Sequence, residues 1–306
     1  GDTYDRRKYI NYYSLYRANQ MLFVPMAENK IDFHIIVGNH DTYYRNTNAV
    51  NSIRELYGRN SDFHIYDSPT EVEIGGTGFL FVPWMCGDNE EQTRAMIDKT
   101  SCQILFGHLE IAGFEMQRGA FVEHGVDRAV FSKFDVVCSG HFHHKSTQGN
   151  INYLGVPYEI NWGDYQDPKG FHVFDTETRE LEFIQNPFKM FYKINYNDSE
   201  MDIKDLKSFD FTPYSRRFVK VIIQQKTNPY LYDLFIEQLD AVEPYNVSVV
   251  DDNLRLNLEL DEAITSEAQD TISTINRFVG ELELSCDKKK LLSHIQRLLN
   301  EAQQII

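Results

Sequence analysis

The sequence predicts a layered α/β domain followed by a small α+β unit and two terminal helices. Two observations carry this. Up to about residue 187, short apolar β-branched or aromatic runs alternate with helical stretches. After Pro187 the pattern becomes strand, helix, strand, helix, strand on a smaller scale.

Residues 12–24 carry helical spacing at Tyr12, Leu15, Tyr16, Asn19, Leu22 and Phe23, and Pro25 is expected to end the helix or lie in its last turn. Phe33–Val37, closed by Gly38, reads as a buried strand. Residues 47–58 read as a helix, and Phe63–Tyr66 and Phe79–Val82 as strands. Gly75-Gly76-Thr77-Gly78 reads as a hairpin turn, since no helix pattern follows it as a phosphate loop would need. Asp88–Lys99 reads as a helix. Gln103–Phe106 and Phe134–Cys138 read as strands, ending at Gly107-His108 and Ser139-Gly140-His141. Strands at 151–154, 171–174 and 181–184 complete the region. The smaller unit takes strands at 190–194, 218–224 and 247–250, with helices at 203–208 and 229–241. Beyond a polar connector at Asp251-Asp252-Asn253, two amphipathic helices are expected. Ile272, Ile275, Phe278, Val279 and Leu282 form one stripe; Leu291, Leu292, Ile295, Leu298, Leu299 and Ile305 form the other.

The 306 residues are 42% hydrophobic and 25% charged, enough for a substantial core. No apolar run reaches the roughly 18 residues of a membrane span. No secretory signal pattern is visible, so a cytoplasmic location is expected. Cys86, Cys102, Cys138 and Cys286 form no CxxC pair and read as reduced thiols. Net charge is −16, from 46 acids and 30 bases. Taken alone, that opposes nucleic-acid binding, which favours basic chains. Neither part is basic: residues 1–190 hold 26 acids against 17 bases, and 191–306 hold 20 against 13.

Four motifs carry the chemistry, each expected at the end of a strand-like run. They are Gly1-Asp2-Thr3-Tyr4-Asp5, Gly38-Asn39-His40-Asp41, Gly107-His108 and Gly140-His141-Phe142-His143. A glycine before the polar residue lets the backbone turn sharply at the sheet edge where α/β proteins bind ligands. Carboxylate, amide oxygen and imidazole together suit Mn, Fe or Zn, whereas Mg or Ca sites use mostly oxygen. His141 and His143 share a face if they lie on a strand; in a loop they can serve two metals. A lone Gly-His is usually structural, but four such motifs in this order have no ready structural explanation.

In that order and with these flanks, the chain resembles the calcineurin-like metallophosphoesterases. Within them it resembles the SbcD-type nuclease subunits of Mre/Rad (SbcCD) DNA-repair complexes, and in particular the recombination nucleases of tailed phages. The flanks include GDTYDRRKYIN, IIVGNHDTYYRN, FVPWMC, GHLEIAGF, VVCSGHFHHKS and YLGVPYEINWGDYQDPKGFHVFDTET. The resemblance covers about residues 1–190 by motif and the remainder by layout.

It implies a layered β-sandwich flanked by helices over residues 1–187, a DNA-capping α+β unit over 188–252, and a connector with partner-binding helices over 253–306. It implies that Asp2 bridges two metals, that Asn39, His108 and His141 hold one of them, and that His143 binds the other. His40 is implied to contact the scissile phosphate and assist the leaving oxygen, with Asp41 orienting it. The implied cofactors are two divalent ions, Mn²⁺ first, with Mg²⁺ or Fe²⁺ as alternatives. The implied activity is 3′→5′ exonuclease action on duplex DNA and endonuclease action on single strands.

DNA phosphates are expected to meet Arg6, Arg7, Lys8, Tyr43, Tyr44, Arg45, His144 and Lys145. No GxxxxGK[ST] is present. The resemblance supplies ATP hydrolysis in trans, from an SbcC-type ABC ATPase with a coiled coil. Ile275, Phe278, Leu291, Leu292, Ile295, Leu298 and Leu299 are the candidate contacts. A homodimer is expected.

The family's first motif, Asp-x-His, precedes the Gly-Asp motif by some tens of residues, whereas this chain starts at Gly1-Asp2. The expectation is therefore an N-terminally truncated copy with impaired activity. Two rival readings stand beside the nuclease: another calcineurin-like phosphoesterase, such as a phosphatase or cyclic-nucleotide phosphodiesterase, and a non-catalytic partner-binding fragment.

Overall fold

The computed structural model describes residues 1–60, 63–117 and 119–251. Residues 1–252 belong to one compact unit, and its class is mixed α/β. The expected helices at 265–282 and 288–306, the seven candidate partner contacts on them, and Cys286 lie outside the described residues.

Helix α1 (Tyr12–Ala18) starts at Asn11, whose side chain accepts from the Tyr13 and Ser14 amides. A π-helical turn, Asn19–Phe23, leads directly into α2 (Val24–Glu28). Pro25 therefore does not end the helix. The Val24 amide reaches back five residues to Asn19 O, and this wider turn makes room for a proline ring that would otherwise strike the carbonyl four residues earlier.

Strand β1 (Phe33–Ile36) is followed by α3 (Ser52–Tyr57) and pairs in parallel with β2 (Phe63–Tyr66). The expected helix at 47–58 is shorter because two asparagines bind backbone instead. Asn48 Nδ2 donates to Trp84 O at 2.9 Å, and Asn51 caps α3 through the Arg54 amide at 2.8 Å. Phe23, Ile35, Ile53, Tyr57 and Phe63 form a core between these helices and strands.

Strands β3 (Thr70–Ile74) and β4 (Thr77–Val82) form a hairpin around Gly75 and Gly76, at φ +58° and +78°. Two positive φ values in a two-residue turn match the twist of the flanking strands. Strand β3 was not expected, since its alternating Glu71 and Glu73 look loop-like, yet they suit a sheet edge. Helix α4 (Glu90–Lys99), strand β5 (Ile104–His108), the small hairpin β6 (Glu115–Gln117) and β7 (Ala120–Phe121), and strands β8 (Val136–Gly140), β9 (Ser146–Gln148) and β10 (Ile151–Tyr153) follow.

The central sheet runs β3-β4-β5-β8-β10-β9, parallel from β4 to β10 and antiparallel at both edges. Alternation buries both faces. Leu80, Val82, Leu105, Val137, Ile151 and Tyr153 pack on Ile97, Phe131, Phe134 and Phe142. Phe79, Phe81 and Ile104 pack on Tyr66 of β2 and, with Phe106, on Phe174. Phe174 ends β11 (Gly170–Phe174), which pairs antiparallel with β12 (Leu181–Gln185). A parallel sheet covered on both faces explains why these strands read as continuous apolar runs.

The last described segment contains β13 (Phe191–Asn197), α5 (Ile203–Ser208), β14 (Phe218–Gln225), α6 (Pro229–Ala241) and β15 (Asn246–Asp251). All three strands are parallel. Ile194, Tyr196, Leu206, Val219, Val221, Leu231, Phe235 and Leu239 make its own core. Asp202 with Asp205 forms a capping box on α5, and Asn228 caps α6 ahead of Pro229. Buried Glu159 ties this segment to the preceding chain by accepting from the Met190 and Phe191 amides at 2.6 and 3.0 Å. Cys86, Cys102 and Cys138 are free thiols, and burial pushes Cys138 up to about 12.

Candidate metal centre

Three of the four motifs close strands as expected. Gly38-Asn39-His40 follows β1, Gly107-His108 completes β5, and His141 follows β8 at Gly140. Gly1-Asp2 opens the given sequence, and residues 1–11 are without strand. Asp2 and His141 both take left-handed backbone, at φ +58° and +84°. Such conformations cost about 1 kcal/mol or more for a residue with a Cβ and persist only where the surroundings enforce them. Here the glycines permit the approach. A Cβ on Gly38 would overlap the Asp2 amide and carboxylate, and one on Gly1 would lie 2.6 Å from His108 Nδ1.

Four side chains converge. Asp2 Oδ2 is 3.0 Å from His108 Nε2. Asn39 Oδ1 is 2.9 Å from His108 Nε2 and 3.0 Å from His141 Nδ1. Ligand atoms of Asp2, His108 and His141 all lie within 4.8 Å of one another. Burial pushes His108 down to about 4, so it is neutral at pH 7. Burial also opposes the Asp2 charge. The His108 imidazole, the His40 amide at 2.8 Å and the His40 side chain outweigh it and hold Asp2 well below the usual carboxylate range. An ionised carboxylate, an amide oxygen and two imidazole nitrogens facing one another fit a divalent cation of the Mn, Fe or Zn type. His108 Nδ1 is buried and makes no hydrogen bond, while Nε2 points at two oxygens. In the metal-free state the ring proton therefore belongs on Nε2, and it must leave that atom for a cation to bind there.

No family profile matches the chain. Exonuclease subunit 1 of Enterobacteria phage T4 is 30% identical to it, across 99% of this chain and 86% of the T4 protein. The chain belongs to this phage exonuclease-subunit family.

Asp41 departs from its expected role of orienting His40. It is fully buried, and its carboxylate accepts from the Asp2 and Gly38 amides through Oδ2, at 2.8 and 2.9 Å, and from the Thr3 amide through Oδ1 at 2.9 Å. Backbone donors take these oxygens because two chain segments meet there, so Asp41 clamps the Asp2 turn to the Asn39 turn. His40 is fixed by a different group. Its Nδ1 donates to Asp5 O at 2.6 Å, and a carbonyl only accepts, so Nδ1 carries the proton of the neutral ring.

His143 does not join the convergent cluster. Its Nδ1 lies 3.7 Å from Asp164 Oδ2. Asp164 belongs to a buried network that sequence reading missed. Lys169 Nζ contacts Asp164 Oδ1 at 2.8 Å, Asp167 Oδ2 at 2.7 Å and the His143 carbonyl at 2.8 Å. His144 is part of it too, with Nδ1 3.0 Å from Asp167 Oδ1. His144 was expected to meet DNA, but this bond turns that side of the ring to a carboxylate.

The other expected DNA contacts spread over a surface next to the motifs. Arg6 lies over the Tyr9 ring, Arg7 donates to Thr42 Oγ1 at 3.3 Å, and Lys8 lies over Tyr43. Tyr43 and Tyr44 meet edge to face, and both are exposed, as is Arg45. Lys145 sits over Phe183. Two further neighbours were also missed. The Trp84 ring is 5.1 Å from that of His141, and Glu110 Oε2 is 3.7 Å from His141 Nε2. The missed signals were Val82-Pro83-Trp84 closing β4 and an acid two residues past Gly107-His108.

Proposed function

We propose that this chain is the nuclease subunit of a DNA recombination and repair complex, hydrolysing DNA phosphodiesters with two divalent metal ions, Mn²⁺ first. The observation that carries the proposal is the meeting of Asp2, Asn39, His108 and His141 from four separate motifs. Family membership supports it, since the T4 relative is named an exonuclease subunit. The name favours a nuclease over a phosphatase or a cyclic-nucleotide phosphodiesterase.

In this reading Asp2, Asn39, His108 and His141 would hold one ion, and His143 would have to turn towards them to serve a second. Bound cations supply neutralisation of phosphodiester charge and acidify water enough to yield a nucleophile near neutral pH. The chain's own residues do the rest. Asp41 holds the Asp2 and Asn39 turns together. The Asp5 carbonyl fixes the His40 ring so that Nε2, once it has taken a proton from solvent, can pass that proton to the departing 3′-oxygen. The proposed action is 3′→5′ exonuclease on duplex DNA and endonuclease on single strands.

The layered metallophosphoesterase sandwich is assigned to residues 1–187, the DNA-capping unit to 188–252 and partner contacts to 253–306. The proposed partners are an SbcC-type ABC ATPase and a second copy of the chain. The proposed location is the host cytoplasm. Among the described residues no helix is long and apolar enough to cross a membrane.

The test uses the full-length gene product with end-labelled duplex DNA and p-nitrophenyl phosphate. Mn²⁺-dependent loss of 3′-terminal nucleotides is expected. His40→Asn should slow it about 10²–10⁴-fold while leaving Mn²⁺ binding in place. Strong p-nitrophenyl phosphate turnover without DNA cleavage would overturn the reading, as would an undiminished His40→Asn enzyme.

A further inference from the structure

The two nitrogens of His141 have different surroundings. Nδ1 faces into the cluster, 3.0 Å from Asn39 Oδ1, which is itself 2.9 Å from His108 Nε2. Nε2 faces Glu110, with Oε2 3.7 Å away. A neutral imidazole carries one proton. Without a cation that proton suits Nδ1, which then donates to Asn39 Oδ1. With a cation on Nδ1 the proton sits on Nε2 and needs an acceptor there, and a metal-binding histidine is held in direction by that second bond.

The backbone around Glu110 is fixed. Leu109 and Ile111, on either side, are fully buried. The Tyr153 hydroxyl spans the residue: it accepts from the Ile111 amide and donates to the Leu109 carbonyl, both at 2.9 Å. The Glu110 carbonyl accepts from the Val126 amide at 2.8 Å, and the Leu109 amide donates to Ser139 Oγ at 3.0 Å. The Tyr153 ring also stacks on Phe142, with 4.4 Å between centres, and Phe142 follows His141 directly. One buried tyrosine thus ties the segment of Glu110 to the segment of His141. Trp84 packs against the same imidazole, ring centres 5.1 Å apart. The Trp84 carbonyl accepts from Asn48 and Asn89 Nδ2, both at 2.9 Å.

We infer that Glu110 is a positioning residue of the metal centre: it accepts the Nε2–H of His141 and so presents Nδ1 to the cation, while Tyr153 and Trp84 keep carboxylate and ring in line. The 3.7 Å separation shortens to a hydrogen bond by rotation of the Glu110 side chain, which is a third exposed. This rests on the metal-centre part of the nuclease reading and adds a residue that none of the four motifs contains.

The experiment reads metal binding rather than turnover. Free Mn²⁺ is followed by EPR during titration of the full-length gene product. Glu110→Ala should raise the dissociation constant of one Mn²⁺ site about 10–100-fold, the usual cost of losing such a partner. Glu110→Met, which keeps the stem without a carboxylate, should match it. Glu110→Gln, whose amide oxygen still accepts from Nε2–H, should restore binding to within a few-fold of the parent. Glu123→Ala removes the same charge at an exposed acid and should leave binding unchanged. Proton NMR of the Zn²⁺-loaded protein gives a second readout. The His141 ring N–H should be visible in the parent and in Glu110→Gln, and lost to water exchange in Glu110→Ala. Melting temperatures of the metal-free proteins verify that the variants are folded.

Parent-like Mn²⁺ affinity in folded Glu110→Ala or Glu110→Met overturns the inference. So does an equal loss in Glu110→Gln or Glu123→Ala, which would mark a charge effect rather than a held N–H. If the parent binds no Mn²⁺, the metal-centre reading fails and this inference with it; if it binds and the Glu110 variants match it, only this inference fails.

Discussion

Two polar clusters lie next to one another in sequence order, and they solve the problem of buried charge in opposite ways. Asp2, Asn39, His108 and His141 bring together a carboxylate, an amide and two imidazoles and hold no lysine or arginine. Asp164 and Asp167 close around Lys169, which is 4% exposed and also holds the His143 carbonyl. The second cluster holds its own lysine against two carboxylates and gives Asp164 two backbone amides as well. The first has a donor set that fits a metal ion. A buried carboxylate network thus marks structure where it holds its own cation, and points to chemistry where it holds none.

The largest expected effect breaks the cluster that holds its own lysine. Lys169→Met leaves Asp164 and Asp167 buried without their cation, and removing one partner of such a set costs about 3–5 kcal/mol. Urea unfolding should show this loss with or without Mn²⁺. A loss under about 1 kcal/mol would mean that water already serves these carboxylates, and the contrast between the clusters would collapse.

The next effect sharpens the other side. A cation that binds only the folded protein stabilises it by about 2.7 kcal/mol at a hundredfold excess over its dissociation constant. Mn²⁺ should therefore raise the melting temperature of the parent and of His40→Asn, but not of Asp2→Asn or His108→Ala. Equal Mn²⁺ stabilisation in His108→Ala would place the ion elsewhere.

The contrast also explains what the sequence made legible. The metal cluster was readable because glycine before a polar residue at the end of an apolar run is a local signal, and Gly38-Asn39, Gly107-His108 and Gly140-His141 all have it. The Lys169 network has no local signal. Asp164, Asp167 and Lys169 lie in a flank that carries the family resemblance, but only the turn at Trp162–Asp164 brings Asp164 to His143 and to Lys169. Asp41 has a task that the sequence does not show. Adjacency to His40 suggested a side-chain partner, while the tertiary approach of Asp2 and Gly38 supplied three backbone amides instead. The fold shows the same division. Central strands, buried on both faces, were found within a residue or two. The edge strand Thr70–Ile74 and the helix passing through Pro25 depend on neighbours that periodicity does not see.

The smallest effect separates the clusters by pH. Burial pushes His108 down to about 4 in the folded chain, against about 6.5 unfolded. Between those values the unfolded chain binds the additional proton, so metal-free stability falls as pH is lowered through that window. The slope is at most about 1.4 kcal/mol per pH unit. Asp164 behaves differently. Burial raises its pKa, but His143 and Lys169 more than compensate and bring it to about 2. Its folded value lies below its unfolded one, so its contribution is intact above about pH 4 and is lost only as pH falls towards 2. Chelator-treated protein, unfolded in urea at pH 7, 6 and 5, should therefore weaken through His108 while Asp164 stays ionised. His108→Gln should flatten that decline, and Asp164→Asn should leave its slope as it is. A decline that persists in His108→Gln would assign the titration to another group and remove the distinction drawn between the two clusters.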